Sequence, residues 1–334
     1  MASHGTAWLL ASTLFAMSLP AAASAAPICR PPVATPFVTG LEGGSGSAIG
    51  PDGALYVTER AAGRVSRVNP RTGRVTTFAT GLPKMLPAVN GGGPMDVAFI
   101  GKTAYVLVTL VGPDVGGTDV VGIYRIDGPD TFTVIADVGA FSTSHPPATA
   151  FFVPSGVPYA MEPYPHGFLV TDGHHNRVLH VKKDGGEVTE VLAFPNIVPT
   201  GLAAHGNRVY MAEAGPIPHL PEDGKVISFG RSLTPKDVAA GARLLVDVEF
   251  GPGRVLYGLS QGTWPLGNPE GSPASPNTGA LMQANRDGTF SVVTGGLNQP
   301  TSFEFIRNTA YVVTLGGEVW KIDGVRCRPF RASH

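Results

Sequence analysis

The chain has 334 residues, of which 15% are charged, and 24 basic against 25 acidic residues give a formal net charge of −1. A chain so close to neutral has no overall basic field to hold a nucleic-acid backbone, so nucleic acid is excluded as the expected partner. The 44 glycines and 31 prolines favour a chain with many turns and few helices.

The N-terminus has the pattern of a secretory signal peptide. An apolar stretch at 7–19 (AWLLASTLFAMSL) is followed by small residues ending at Ala25, which is the order expected of an apolar core and an A-x-A cleavage site. We therefore expect residues 1–25 to be a signal peptide and residues 26–334 to form one secreted or periplasmic domain. The alternative is an uncleaved anchor, but the apolar stretch is shorter than the roughly 20 residues that a membrane span needs.

Two cysteines, Cys29 and Cys327, lie at the two extremes of the mature chain. An even number of cysteines with no C-x-x-C spacing, in a chain expected to meet oxidising conditions, favours one disulfide bond over a metal or redox site. We expect these two residues to be bonded.

Between the cysteines one pattern of short β-strands recurs six times. The runs are rich in Val, Ile, Tyr and Phe and are bounded by Gly, Pro, Asn and Asp, which is the signal for strands and turns. The clearest run of each repeat, its second strand, reads ALYVTE (54–59), TAYVLVT (103–109), GFLVTD (167–172), RVYMAE (208–213), RVLYGLS (254–260) and TAYVVT (309–314). Repeats of roughly 40–65 residues with four strands each predict an all-β, six-bladed β-propeller. A two-sheet sandwich would not explain the sixfold recurrence.

The sequence also predicts how the ring of blades closes. The sixth repeat provides only three strands, and the segment at 35–41 (TPFVTGL) resembles the fourth-strand segments of other repeats. We expect this N-terminal strand to complete the last blade, which removes open sheet edges. The bond between Cys29 and Cys327 would then lock the closure.

The connections between strands differ in length on the two faces of the predicted ring. One face has short hairpin turns, except around residues 234–237, which resemble the start of a short helix. The opposite face has the long connections at 81–94, 110–120, 139–157, 214–224 and 261–278. Long connections are usually functional or disordered, so we expect the ligand site on this face, around the central channel.

Polar residues at the ends of strands on the long-loop face are the candidate ligand-binding residues. Those after second strands are Glu59, Asp172, His174, His175 and Glu213, and those near the starts of first strands are Asp96, Tyr159 and Thr200. If the three acidic residues after second strands meet in one channel, they could hold a divalent cation such as Ca²⁺, or act in acid–base chemistry. The alternative is that each carboxylate caps a turn in its own blade, and that the two histidines form a solvated turn.

Four segments resemble a known family of exported propellers. They are GSAIGPDGALYVTE (46–59), VPTGLAAHGNRVYMAEAG (198–215), LLVDVEFGPGRVLYGLS (244–260) and GLNQPTSFEFIRNTAYVVT (296–314). The motifs are NHL-like, and their order resembles the ScyD/ScyE family over nearly the whole mature chain. This resemblance implies a secreted or periplasmic β-propeller, and it carries no catalytic residue over to this chain.

Two functions from different classes agree with these features. The first is an extracytoplasmic binding scaffold that presents the long-loop face to a small molecule, a glycan or an envelope protein. The second is a metal-dependent lactonase or lyase acting in the central channel, as in gluconolactonase-like and streptogramin-lyase-like propellers. No sequence motif identifies a catalytic residue, and we expect a monomer. Detection of a bound metal would distinguish the metal-dependent enzyme from the binding scaffold.

Overall fold

A computed structural model describes residues 1–2 and 32–326 of the chain. These residues form six antiparallel sheets of four strands each, arranged as the blades of a β-propeller. The all-β, six-bladed fold predicted from the sequence is confirmed. The residues of the predicted signal peptide beyond Ala2, and both cysteines, lie outside the described residues, so the cleavage and the disulfide bond stay predictions.

The first strands of the blades form the inner ring of the propeller. They are β2 (Gly44–Ile49), β6 (Gly93–Ile100), β10 (Pro158–Tyr164), β14 (Pro199–His205), β18 (Leu245–Gly251) and β22 (Pro300–Ile306). Each first strand contacts the first strands of both neighbouring blades, and β22 contacts β2. The six strands therefore enclose the central channel.

The second strands lie next outward and are the most deeply buried. They are β3 (Leu55–Glu59), β7 (Thr103–Thr109), β11 (Gly167–Asp172), β15 (Arg208–Glu213), β19 (Val255–Ser260) and β23 (Thr309–Thr314). Every residue of β3 and β11 is buried, because neighbouring blades cover both faces of each sheet. This burial explains why second strands read as continuous apolar runs rather than alternating ones.

The outer two strands complete each blade. The third strands are β4 (Arg64–Val68), β8 (Gly122–Gly128), β12 (Arg177–Lys182), β16 (Lys225–Phe229), β20 (Gly279–Ala284) and β24 (Val319–Asp323). The fourth strands are β5 (Val75–Ala79), β9 (Thr131–Asp137), β13 (Val188–Ala193), β17 (Lys236–Ala240), β21 (Phe290–Leu297) and β1 (Ala34–Val38). The helical start expected at 234–237 is wrong, because residues from Lys236 onward form the fourth strand of blade four.

The N-terminal strand closes the ring as predicted. Strand β1 pairs antiparallel with β24, with Ala34 opposite Ile322 and Thr35 opposite Lys321. The ammonium group of Lys321 also lies 5.0 Å from the ring centroid of Phe37. The closing strand is thus held by backbone pairing and by a cation–π contact.

The long connections lie together on one face, where second strands end and first strands begin. The connection at 139–157 contains most of the helix α1 (Val138–Ser144), whose first turn is capped by Asp137 through a 2.8 Å bond from the Ala140 amide. Among the described residues, no helix is long and apolar enough to span a membrane.

Candidate functional site

Five carboxyl groups come from first strands of four different blades. Glu162, Glu249 and Glu304 are each the fifth residue of a seven-residue first strand, so they lie at the same depth in the ring. Asp247 precedes Glu249 by two residues, and side chains two apart on a strand point to the same side. Asp96 occupies the equivalent position on β6. We call these five residues the carboxyl channel.

The charges of the carboxyl channel interact across the ring. The carboxylate of Glu304 in blade six interacts with Asp247 in blade five, Glu162 in blade three and Asp96 in blade two. Glu249 interacts with Glu304, Asp247 and Glu162. The five groups border one channel because their first strands form one closed ring, and like charges at this range disfavour the ionised forms of one another.

Burial raises the pKa of every group in the carboxyl channel. It raises the pKa of Asp96 to about 7 and that of Glu162 to about 7. Burial, together with repulsion between the carboxylates, raises the pKa values of Asp247, Glu249 and Glu304 well above the usual range. All five side chains keep some surface accessible to solvent, so they are surrounded by protein but face an open channel.

The two aspartates also join neighbouring blades. Asp96 accepts hydrogen bonds from the Val97 amide at 2.8 Å and from the Met161 amide of the next blade at 2.7 Å. Asp247 accepts equivalent bonds from Val248 at 2.8 Å and from Phe303 of the next blade at 2.9 Å. These bonds favour the charged form of each aspartate, but burial has the larger effect and raises the pKa of both.

A glycine makes room for each aspartate. A Cβ atom added to Gly46 would lie 2.6 Å from the Cα atom of Asp96, and one added to Gly201 would lie 2.5 Å from the Cα atom of Asp247. The arrangement of glycine, aspartate and next-blade amide therefore occurs twice, in blades one to three and again in blades four to six.

The three glutamates have weaker contacts than the aspartates. Glu162 accepts one bond, from the Ala204 amide of the next blade at 3.1 Å. No lysine or arginine within residues 32–326 forms an ion pair with any member of the carboxyl channel. The channel can therefore offer these groups to a ligand.

Tyr159 and Arg60 lie at the mouth of the channel on the long-loop face. Tyr159 is the second residue of β10, and its ring packs against the core cluster that contains Val246. Burial, and then the charges of Asp247 and Asp96, raise the pKa of its phenol. The Arg60 guanidinium interacts with Tyr159, and its buried Nε has no hydrogen-bond partner in the described part of the chain.

The sequence-predicted Glu59 is held within its own blade. Its carboxylate accepts bonds from the Glu42 amide at 2.6 Å and from Arg64 Nε and Nη2 at 2.9 and 2.7 Å, and a further bond from Ser66 Oγ. Burial alone would raise the pKa of Glu59, but the bonds from Arg64 and Ser66 outweigh it and lower the pKa. Glu59 is thus committed to an internal ion pair.

Asp172 is also committed to its own blade. Its Oδ1 accepts bonds from the Val157 amide at 2.9 Å and the His175 amide at 3.1 Å, while Oδ2 lies 3.5 Å from Arg177 Nε. Arg177 is itself fully buried and donates to the His145 carbonyl at 2.8 Å. Together these contacts attach the connection at 139–157 to blade three.

The two histidines hold the same connection. Nε2 of His174 accepts bonds from the amides of Phe152 at 2.8 Å and Val153 at 3.2 Å. His175 Nε2 bonds the Val153 carbonyl at 3.0 Å, while its Nδ1 lies 2.9 Å from Arg177 Nη2. Burial lowers the pKa of both imidazoles, in agreement with neutral rings. The pair is therefore neither a solvated turn nor a metal clamp.

The remaining two candidates also serve the fold. Glu213 is buried, and burial raises its pKa to about 7, although Lys225 Nζ lies 3.9 Å from its carboxylate. Thr200 Oγ1 contacts the carbonyls of Ala212 at 3.1 Å and Leu245 at 2.8 Å, which joins blades four and five.

The structure thus brings Asp96 and Tyr159 to the channel and leaves the other six candidates in contacts within or between blades. Carboxylate oxygens are the donors that Ca²⁺ prefers. Among the described residues, however, no three Asp, Glu, His or Cys side chains are placed to hold a metal ion.

Sequence reasoning missed Arg60, Asp247 and the three glutamates. Aligning the first strands would have found the glutamates, because AMEPY (160–164), DVEFG (247–251) and SFEFI (302–306) carry Glu at the same position.

No protein-family model matches the chain, and no curated protein sequence matches it. Solved structures do resemble it over most of its length. A gluconolactonase from Xanthomonas campestris is 13% identical with a TM-score of 0.58, covering 90% of this chain and 99% of its own. Virginiamycin B lyase from Staphylococcus aureus is 13% identical with a TM-score of 0.53, covering 87% and 98%. A chain of a nidogen–laminin complex is 14% identical with a TM-score of 0.54, covering 83% and 91%.

All of these structures are at most 14% identical to the chain, so the likenesses show the fold alone. The resemblance to the ScyD/ScyE family stays a prediction.

Proposed function

We propose that the protein is an extracytoplasmic binding propeller whose site is the carboxyl channel. Its ligand is a small polar molecule that carries a positive charge or several hydrogen-bond donors. The observation that best supports this proposal is the convergence of five carboxyl groups from four blades with no basic side chain of residues 32–326 paired to them. The ScyD/ScyE resemblance and the apolar stretch at 7–19 support export of the domain at 26–334.

The raised pKa values determine how such a site would work. Near pH 7 some of the carboxyl groups are protonated, and a protonated carboxyl both donates and accepts hydrogen bonds. A cationic ligand favours the charged form of a neighbouring carboxyl and so releases protons on binding. Binding of a cation is therefore expected to strengthen as the pH rises.

The second candidate is a metal-dependent lactonase or lyase, which the likeness in fold to a gluconolactonase and to virginiamycin B lyase favours. The contacts of Glu59 and Asp172 count against the donor set expected from the sequence, since both oxygens of Glu59 and Oδ1 of Asp172 accept hydrogen bonds, while Oδ2 of Asp172 faces Arg177. We therefore derive no reaction step through a metal in this chain.

Calorimetric titration of the exported protein at pH 8 tests the first candidate. The probes are calcium chloride, 1,4-diaminobutane and D-glucose, each alone. At least one probe should bind, and the Glu249→Gln/Glu304→Gln double variant should bind it at least tenfold more weakly. Glu222→Gln is the control, because Glu222 is exposed and forms no ion pair with a described residue, and it should bind as the unchanged protein does.

Two outcomes would count against the proposal. Equal affinity in the double variant would remove the carboxyl channel as the site. Hydrolysis of glucono-1,5-lactone that a chelator abolishes and that Glu249→Gln/Glu304→Gln leaves unchanged would favour the metal-dependent enzyme.

A further inference from the structure

A second concave site lies between blades four and five, on the face of the propeller opposite the long connections. It is an open groove of about 1120 Å³. Blade five contributes its two short turns, at 251–254 and 284–287, and blade four contributes Tyr210 and Val238. This face has short hairpin turns only, so the lengths of the connections did not mark it as a site.

Three arginines surround the groove. Arg254 is on the turn between the first and second strands of blade five, Arg286 is on the turn between the third and fourth strands, and Arg326 follows β24. All three are exposed, and within residues 32–326 none forms an ion pair. An exposed guanidinium without an ion pair can bind a carboxylate or phosphate through two parallel hydrogen bonds.

The carboxylate of Asp287 and the amide of Asn285, which also line the groove, are already bonded. Asp287 Oδ1 accepts bonds from the Thr289 amide at 3.1 Å and from its hydroxyl at 2.7 Å. Asn285 Nδ2 donates to the hydroxyls of Thr289 at 3.0 Å and Ser291 at 2.9 Å. The groove therefore has three basic groups against one carboxylate that is engaged in its own turn.

The turn at 251–254 positions one of the arginines. The guanidinium of Arg326 lies over Gly253, such that a Cβ atom added to this glycine would be 2.9 Å from Arg326 Cζ. The backbone at Gly253 has a φ of +73, in the left-handed region, where a side chain is disfavoured. Glycine is thus required for the turn and leaves the space that Arg326 occupies.

Aromatic rings form the floor of the groove. Tyr210 and Phe250 lie edge to face, with ring centroids 4.8 Å apart, and both are half-buried. One face of Phe250 is stacked on His205, with ring centroids 4.4 Å apart, so Tyr210 is the ring with more free surface. Half-buried aromatic rings offer apolar surface to the C–H face of a sugar ring, while a small inorganic anion would leave this surface and most of the volume unused. The groove between blades one and two has about 420 Å³ and contains a single lysine, Lys84.

We propose that the groove between blades four and five binds an acidic oligosaccharide, with its carboxylates on Arg254, Arg286 and Arg326 and a sugar ring against Tyr210 and Phe250. This site is independent of the carboxyl channel, because it lies on another part of the propeller and takes a ligand of opposite charge.

Calorimetric titration of the exported protein with trigalacturonate tests the proposal. The Arg254→Gln/Arg286→Gln variant should bind trigalacturonate at least tenfold more weakly, because it loses two charged hydrogen-bond donors to the ligand's carboxylates. Both side chains are exposed, so the variant should keep the melting temperature of the unchanged protein. Arg71→Gln/Arg74→Gln is the matched control: it removes the same charge from a third-to-fourth-strand turn of blade one, where both side chains are exposed, and should bind as the unchanged protein does.

Two further probes identify the ligand class. Maltotriose, which is neutral, should bind at least tenfold more weakly than trigalacturonate, and so should tripolyphosphate, which has no sugar ring. Equal binding of tripolyphosphate would overturn the assignment to a glycan. Equal weakening by the blade-one control, or full binding by Arg254→Gln/Arg286→Gln, would overturn the site.

Discussion

Glu59, at the end of a second strand, and Glu304, in the middle of a first strand, carry the same kind of side chain in opposite states. Glu59, at the end of β3, is buried but bonded by Arg64, Ser66 and a backbone amide, and its pKa is lowered. Glu304, in the middle of β22, keeps some contact with the channel but has no basic partner within residues 32–326, and its pKa is raised well above the usual range.

The difference shows that position along the sequence does not determine what a carboxylate does in a propeller. A second strand is covered by its blade and by its neighbours, so a carboxylate there must find partners within the fold. A first strand borders the channel, where solvent or a ligand can provide the partner. Glu59 is thus a stabilising carboxylate, whereas Glu304 is free to bind a ligand.

Breaking the internal ion pair of Glu59 should have the largest effect. Glu59→Ala leaves the Arg64 guanidinium and the Glu42 amide without their partner, so the free energy of unfolding should fall by about 3–5 kcal/mol. Denaturant unfolding measures this. The control Glu42→Ala removes an exposed carboxylate 3.4 Å from Arg64 and should cost less than about 1 kcal/mol. Equal losses in both variants would contradict the distinction between paired and exposed groups.

The pH dependence of stability tests the unpaired groups. A carboxyl whose pKa is raised in the folded state binds more protons folded than unfolded, so stability is lost as the pH rises toward the folded pKa. For Asp96 and Glu162, with pKa values of about 7, this loss of stability runs from about pH 4 to pH 7. For Asp247, Glu249 and Glu304, whose pKa values are raised further, the loss continues to higher pH. We expect the free energy of unfolding to fall by roughly 2 kcal/mol between pH 6.5 and 8.

Histidines oppose this trend only at lower pH. The pKa values of His174, His175 and His219 are lowered by burial, so the stability from their neutral rings is present above about pH 6.5 and lost below it. The window from pH 6.5 to 8 therefore excludes the histidines and reports on the carboxyl channel together with Glu213, whose pKa is also raised to about 7. A stability that rises across this window, or one whose slope is unchanged in Glu162→Gln/Glu249→Gln/Glu304→Gln, would contradict the account.

Much of the fold could be predicted from the sequence, because strand and turn patterns repeat in every blade. The closing strand at 35–41 was found because it resembles fourth strands elsewhere in the chain. The strand β17 was missed, because Thr234 and Pro235 resemble a helix start while pairing with β16 decides the structure.

The site was harder to predict for a physical reason. Polar residues at strand ends are conspicuous in the sequence because they follow apolar runs. Whether Glu59 contacts a ligand or Arg64, however, depends on contacts that the local sequence does not reveal. Asp247 and Glu249 lie between apolar residues in the sequence. Only the position of β18 in the ring of first strands brings their charges within range of Asp96 and Glu162.

Removing one channel carboxylate should have a smaller effect, with the opposite sign to that of Glu59→Ala. Glu304→Gln keeps the size of the side chain and removes repulsion with Asp247 and Glu162, so it should stabilise the protein by about 1 kcal/mol at pH 8. Thermal unfolding checks this against Glu222→Gln, which should change stability by less than about 0.5 kcal/mol. Destabilisation by Glu304→Gln would mean that the fold depends on this carboxylate.

The most local effect is expected at the long-loop face. His174→Ala removes the acceptor of the Phe152 and Val153 amides, at a cost of about 1–2 kcal/mol, and should speed hydrogen exchange at these two amides. The control His180→Ala, whose ring bonds the Pro165 carbonyl on the surface, should leave their exchange unchanged. Protection that persists in His174→Ala would show that other contacts hold the connection at 139–157.

The central claim is that channel carboxyl groups are unpaired and retain protons near neutral pH. A pH titration of the protein labelled with ¹³C at its glutamate side-chain carboxyls, followed by NMR, measures this directly. We predict one glutamate signal with an apparent pKa of about 7, from Glu162, and signals from Glu249 and Glu304 with pKa values well above the usual range, all of them absent from Glu162→Gln/Glu249→Gln/Glu304→Gln. If every glutamate except Glu213, whose pKa is raised to about 7 elsewhere in the fold, titrates below pH 5, the carboxyl channel is charged and paired in solution and the account is contradicted.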